Sequence, residues 1–103
     1  MIKIKINKTN NKYSSLNVSG HSNYDEHGKD IVCAGVSAVV IGGLNALTYE
    51  DKYKISSKVS DGYVNVDVLD LDDDRLQLIM EVIVIQLKSI EEGYRKYIKI
   101  CEE

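Results

Sequence analysis

Residues 20–37 read Gly20-His21-Ser22-Asn23-Tyr24-Asp25-Glu26-His27-Gly28-Lys29-Asp30-Ile31-Val32-Cys33-Ala34-Gly35-Val36-Ser37, and the fold turns on how they divide. Gly20 and His21 close a strand, the polar middle forms a loop, and Asp30 opens a helix. The short carboxylate of Asp30 suits an N-cap, and an apolar run begins directly after it. That run, Ile31 to about Leu47, exceeds ordinary strand length, so its capped start decides for helix. Gly35, Ala38, Gly42 and Gly43 interrupt it with small residues. Glycine inside a helix costs about 1 kcal/mol relative to alanine. Small residues at these spacings therefore predict a closely packed neighbour, the protein's own sheet before a partner subunit.

Upstream, Met1 to Ile6 alternates Ile2, Ile4 and Ile6 with lysines, the period of a half-buried strand. Lys8 to Lys12 is a polar turn, and Tyr13 to Ser19 gives a second strand with Leu16 and Val18 on one side. Downstream, Tyr53 to Val59 and Tyr63 to Leu69 alternate around Ser60-Asp61-Gly62, where Asp-Gly signals a hairpin turn. Asp70, Asp72, Asp73 and Asp74 then precede an apolar-periodic run through Leu76, Ile79, Met80, Ile83, Leu87 and Ile90, which ends near Gly93. The aspartates lack the glycine and terminal glutamate of a calcium loop and fit the cap and dipole of a second helix. Tyr97 to Cys101 alternates as a short strand, while Ile90, Tyr94, Ile98 and Cys101 also fit one helical face. The prediction is an α+β fold, ββαββα with a possible short C-terminal strand. An antiparallel sheet of two hairpins would pack with two helices in two or three layers.

With 103 residues, the chain can bury about two thirds of its unfolded surface, and residues 1–103 are expected to form one domain. The net charge of -3, with both signs mixed along the chain, argues against a nucleic-acid surface. Cys33 and Cys101 lie in different elements without CxxC or zinc-ligand spacing, so reduced thiols, no metal and no cofactor are expected. No signal peptide precedes the first strand, and glycine or charge breaks the apolar runs short of the ~20 residues of a membrane span. These features predict a cytoplasmic protein without membrane contact.

Cys33 falls in the first helical turn, where unpaired N–H groups and the positive end of the helix dipole stabilise an anion. His21 precedes it across the loop, which supplies the parts of a cysteine–histidine nucleophile. Cys33 also lies in an apolar run, where a cysteine serves equally as a small core side chain. In the catalytic arrangement, His21 takes the thiol proton, and the N–H groups of Val32 and Cys33 face the oxyanion. Asp30 caps the helix and has a second oxygen for another role. Ser37 lies one turn after Cys33 on the same face, placed either to hold the loop or substrate, or to bond back to the Cys33 carbonyl. His27 competes with His21 but sits within the polar loop as a solvated residue. The loop from Ser22 to Lys29, with Gly28 near its end, is long enough to close over a peptide. Tyr24, Tyr53 and Tyr63 offer aromatic surface to such a groove, although tyrosine is also favoured at strand starts.

The Gly20-His21 pair, the loop ending Gly28-Lys29-Asp30 and the helix start Ile31-Val32-Cys33-Ala34-Gly35-Val36-Ser37 together resemble the signature of the ribosomal-processing cysteine protease family, Prp. Val39 to Ala46 and Gln77 to Tyr94 resemble it in length and pattern, so the likeness covers most of the chain. Ser22 stands where alanine is common in the family. The resemblance implies His21 as base and Cys33 as nucleophile, with Gly20, Asp30, Val32 and Ser37 in supporting positions. It also implies a homodimer. The substrate it implies is the N-terminal extension of a ribosomal protein, the twenty-seventh of the large subunit. Two other classes remain: a non-catalytic module that binds the ribosomal protein or its assembly partners, and a thiol redox protein with Cys101 as resolving cysteine.

Overall fold

The computed structural model describes residues 1–26 and 29–103. Strand β1 (Ile2–Thr9) turns through Asn10 and Asn11, both at positive φ, into β2 (Lys12–Ser19). Two consecutive residues of that hand give the turn whose twist matches a hairpin, and asparagine tolerates it better than most side chains. Helix α1 (Ile31–Thr48) follows, then a 3-10 turn at Lys52–Lys54, β3 (Ile55–Ser60), β4 (Tyr63–Val68), helix α2 (Asp74–Gly93) and β5 (Ile98–Glu102).

The sheet runs β3-β4-β2-β1-β5, and both hairpins form as the alternation predicts. An antiparallel β2–β4 pairing joins the hairpins into one sheet. At the other edge β5 runs parallel to β1, with Ile98 beside Ile2 and Ile100 beside Ile4. The ambiguity over residues 97–101 is thus settled as strand. Tyr94 N–H bonds to the Ile90 and Glu91 carbonyls and closes α2, while the Glu91 carboxylate accepts the Ile100 N–H. The fold is α+β in two layers, antiparallel throughout except at this last edge.

One face of the sheet carries Ile2, Ile4, Ile6, Leu16, Val18, Ile55, Val66, Val68 and Ile98 into a core shared with both helices. α1 contributes Val32, Val36, Val40, Leu44 and Leu47, and α2 contributes Leu76, Met80, Ile83, Val84 and Leu87. The spacing of each set follows the helical period, so each stripe points at the sheet. Asn17, Tyr63, Asn65 and Asp67 alternate with core residues and link to one another by side-chain hydrogen bonds on the opposite face.

Two expectations about α1 change. A Cβ on Gly43 would lie 2.5 Å from Ile83 Cγ1, so the close neighbour of its small residues is α2 and not the sheet. Gly43→Val is expected to lower unfolding free energy by about 2 kcal/mol, read by urea denaturation, because Ile83 must leave its packed position. The glycines also fail to break the helix. α1 is 18 residues long with mean hydropathy 2.0, which by length and composition is enough for a membrane span. The expectation that every apolar run stops well short of one is corrected accordingly. In this fold its buried stripe faces the sheet.

Candidate active site

The end of β2, the segment after it, the first turns of α1 and the β3–β4 turn surround a cleft of about 640 Å³. His21, Asp30, Cys33 and Ser37 line it together with Gly20, Asp61, Gly62 and the apolar Val36, Val40, Ile41, Val59 and Val64. Every polar candidate at the cleft comes from the stretch 20–37. The wall opposite α1 comes from the second hairpin.

Gly20 is required by its backbone. Its φ is +90°, and a Cβ there would lie 2.6 Å from the Met1 carbonyl oxygen. Its N–H donates to the Gly62 carbonyl at 2.9 Å, which ties the end of β2 to the β3–β4 turn. The chain then presents His21, exposed, against Gly62, where a Cβ would come within 2.7 Å of His21 Nε2. Sequence reading treats Asp61-Gly62 only as a hairpin turn. Its second role, leaving room for an imidazole, depends on a contact between hairpins and leaves no mark in local pattern.

Asp30 divides its carboxylate between two tasks. Oδ1 accepts the N–H groups of Val32 and Cys33, both at 3.0 Å, as a helix cap. Oδ2 accepts the Ser22 hydroxyl and the Tyr24 N–H, the latter at 3.0 Å. Burial pushes the carboxyl up, but the bonds from Ser22, Cys33 and Tyr24 outweigh it and hold it at about 2, below the ordinary 3.8. These bonds need the anion, so their contribution is complete above the ordinary value and disappears as pH falls through about 2. Asp30→Ala should cost about 1 kcal/mol at neutral pH. Its difference from wild type in urea midpoint should shrink across that acid window.

The cap also corrects the expected oxyanion donors. While Asp30 Oδ1 holds the N–H groups of Val32 and Cys33, neither is free to meet a developing oxyanion. The second oxygen accepts from Ser22 and Tyr24, and among the described residues no hydrogen bond joins Asp30 to His21. Cys33 is half-buried, its sulfur 3.3 Å from the Ser22 N–H and 3.4 Å from the Ser22 hydroxyl. Among the described residues no hydrogen bond joins His21 to Cys33, although both open onto the one cleft. Ser37 is exposed at the cleft and makes no back-bond to the Cys33 carbonyl among the described residues.

Of the tyrosines, Tyr63 lines the cleft. Tyr24 packs edge-on against Tyr94 and Tyr97, with ring centroids 5.7 and 5.1 Å apart, and so pins the segment after His21 to the entry of β5. Tyr53 is exposed outside the cleft. His27 and Gly28 lie outside the described residues, and with them the readings of His27 as a solvated loop residue and of Gly28 near the end of a closing loop. Cys101 is exposed on β5, in the strand edge beyond β1, and is not among the residues lining the cleft.

Comparison with known proteins concerns the chain as a whole. The family model described as cysteine protease Prp matches residues 1–99. The ribosomal processing cysteine protease Prp of Staphylococcus aureus is 33% identical over 91 residues, 86% of either chain. That of Bacillus subtilis is 32% identical over 107 residues, covering 97% of this chain and 96% of the other. A crystal structure of the S. aureus protease in complex with a covalently linked product peptide superposes over all of both chains, with a TM-score of 0.94 and 31% identity. The family model's match over residues 1–99, the length and identity of the curated matches and the shared fold place the chain in the cysteine protease Prp family.

Proposed function

We propose that the chain is an endopeptidase that removes a short N-terminal extension from the twenty-seventh protein of the large ribosomal subunit, with Cys33 as nucleophile and His21 as general base and acid. The observation that carries the reading is the convergence of His21 and Cys33 on one cleft with apolar walls at a helix N-terminus. An extended apolar peptide would run between Ile41 on α1 and Val59 and Val64 on the second hairpin, the accessible apolar residues of the cleft.

In this reaction the Cys33 thiol gives its proton to His21 and the sulfur attacks the peptide carbonyl. The imidazolium then protonates the leaving amine, and water, deprotonated by His21, releases the acyl group from sulfur. Negative charge on the carbonyl oxygen develops at the positive end of the α1 dipole. Gly20 and Asp30 hold the elements that carry His21 and Cys33, Val32 closes the cap, and Ser37 faces the peptide backbone. The relatives named as ribosomal processing proteases support this substrate class.

We also propose a homodimer formed through the outer faces of the two helices. Leu78 and Val82 are exposed there at 60% and 47%, beside the small residues Ala38, Gly42 and Ala46. A contiguous exposed apolar face of this kind marks an association site. Val82→Lys should shift the protein to monomer in sedimentation equilibrium. The substrate places the enzyme in the cytoplasm, and the mixed-sign charge leaves nucleic acid out of its contacts.

The deciding experiment is incubation with the full-length ribosomal protein carrying its extension, read by intact mass. A single truncated product supports the assignment. An unshifted mass from folded, dimeric protein overturns it.

A further inference from the structure

Ser22 is a buried polar residue at 3% exposure, and its hydroxyl lies between two reactive neighbours. It is hydrogen-bonded to Asp30 Oδ2 and lies 3.4 Å from Cys33 Sγ, with the Tyr24 N–H 3.3 Å away on another side. A hydroxyl has one proton and two lone pairs, so its partners can be assigned by elimination. An ionised carboxylate only accepts, and therefore takes the proton. The Tyr24 N–H, shared with Asp30 Oδ2 at 3.0 Å, only donates, and where it reaches the hydroxyl it meets a lone pair. The second lone pair is left facing sulfur. A sulfur in that position is satisfied only while it carries its own proton and donates it. The Ser22 N–H, 3.3 Å from the same sulfur, can be accepted by either protonation state and does not alter the assignment.

We propose that Ser22 is a positioning residue for Cys33: its proton goes to Asp30, its free lone pair accepts the S–H of Cys33, and the sulfur is held protonated and fixed in direction. The carboxyl of Asp30, held at about 2, stays ionised throughout the neutral range, so the hydroxyl stays oriented this way. The sulfur loses its proton when a base in the cleft removes it, which keeps the thiol latent between substrates. The consequence of this arrangement for cleavage rests on Cys33 being the nucleophile; its effect on the thiol does not.

The test is alkylation of Cys33 by iodoacetamide as a function of pH, followed by intact mass in a Cys101→Ser background that removes the other thiol. Ser22→Ala should move the midpoint of the profile to lower pH by about half a unit to one unit, the size of one net hydrogen bond to a single protonation state. Asp30→Asn should lower the midpoint as well, since an amide no longer claims the hydroxyl proton. The double variant should fall short of the sum of the two shifts. A midpoint that stays put or rises in Ser22→Ala overturns the proposal, as does a sulfur unreactive in both proteins. Additive shifts overturn the link through Asp30. A role confined to packing would change the melting temperature and leave the profile alone. Because alkylation needs no substrate, failure to cleave the ribosomal protein would remove the proposed protease without touching this result.

Discussion

Cys33→Ser is expected to retain peptide affinity within a few-fold and to cleave the ribosomal extension at least ~10³-fold more slowly, the loss typical when a nucleophile leaves a cooperating pair. The fold should survive the change. A serine hydroxyl at this position can still accept the Ser22 N–H and donate to the Ser22 hydroxyl, and the Asp30 cap uses only the backbone of residue 33. Affinity depends on the walls of the cleft, which the substitution leaves in place. Rate falls because an alkoxide is much harder to form than a thiolate. Peptide fluorescence anisotropy measures the first quantity and a time course of intact mass the second. Cleavage at more than about a tenth of the wild-type rate would remove Cys33 from the reaction.

Gly62→Ala carries the second-largest effect, at a residue no simple motif would nominate. Its φ of +67° disfavours an L side chain, which should cost about 1 kcal/mol of stability. The larger consequence is local. A Cβ at 2.7 Å from His21 Nε2 must push the imidazole out of its place, and a displacement of about 1 Å can reduce kcat/KM about 10²-fold. Gly62→Asn separates the causes, since asparagine tolerates positive φ yet still brings a Cβ. Stability should recover in that variant while activity stays low. Normal kcat/KM in both proteins would mean that His21 does not need the position it occupies here.

The sequence made some of this legible and hid the rest for definite reasons. Strand alternation at Ile2, Ile4 and Ile6, the Asp61-Gly62 turn and the Asp30 cap are local signals, and all of them appear where the pattern places them. His21, Asp30, Cys33 and Ser37 were readable because they lie within one contiguous stretch, whereas Asp61 and Tyr63 reach the cleft from the second hairpin. The neighbour of Gly43 was not, because small residues on a helix show that something packs closely without showing what; the answer, Ile83, comes from forty residues downstream. Likewise the contact of Gly62 with His21 joins two hairpins, and the parallel pairing of β5 with β1 joins opposite ends of the chain. Ser22 carries no local signal because a serine's worth depends on burial, and only the folded chain shows that it is enclosed between a carboxylate and a thiol.

The β1–β5 pairing imposes an order on synthesis. β1 is made ahead of the other strands and finds β2 at once, yet its other edge stays unpaired until Ile98 to Glu102 are made. Through all the intervening translation a strand with three isoleucines exposes a row of open backbone groups, a template for pairing with the wrong chain. Tyr97, which braces Tyr24 and so the segment after His21, arrives just ahead of that closing strand. A nascent chain stalled in α2 thus has Cys33 and His21 but lacks the support behind the segment that follows His21, so completion of the cleft waits on β5.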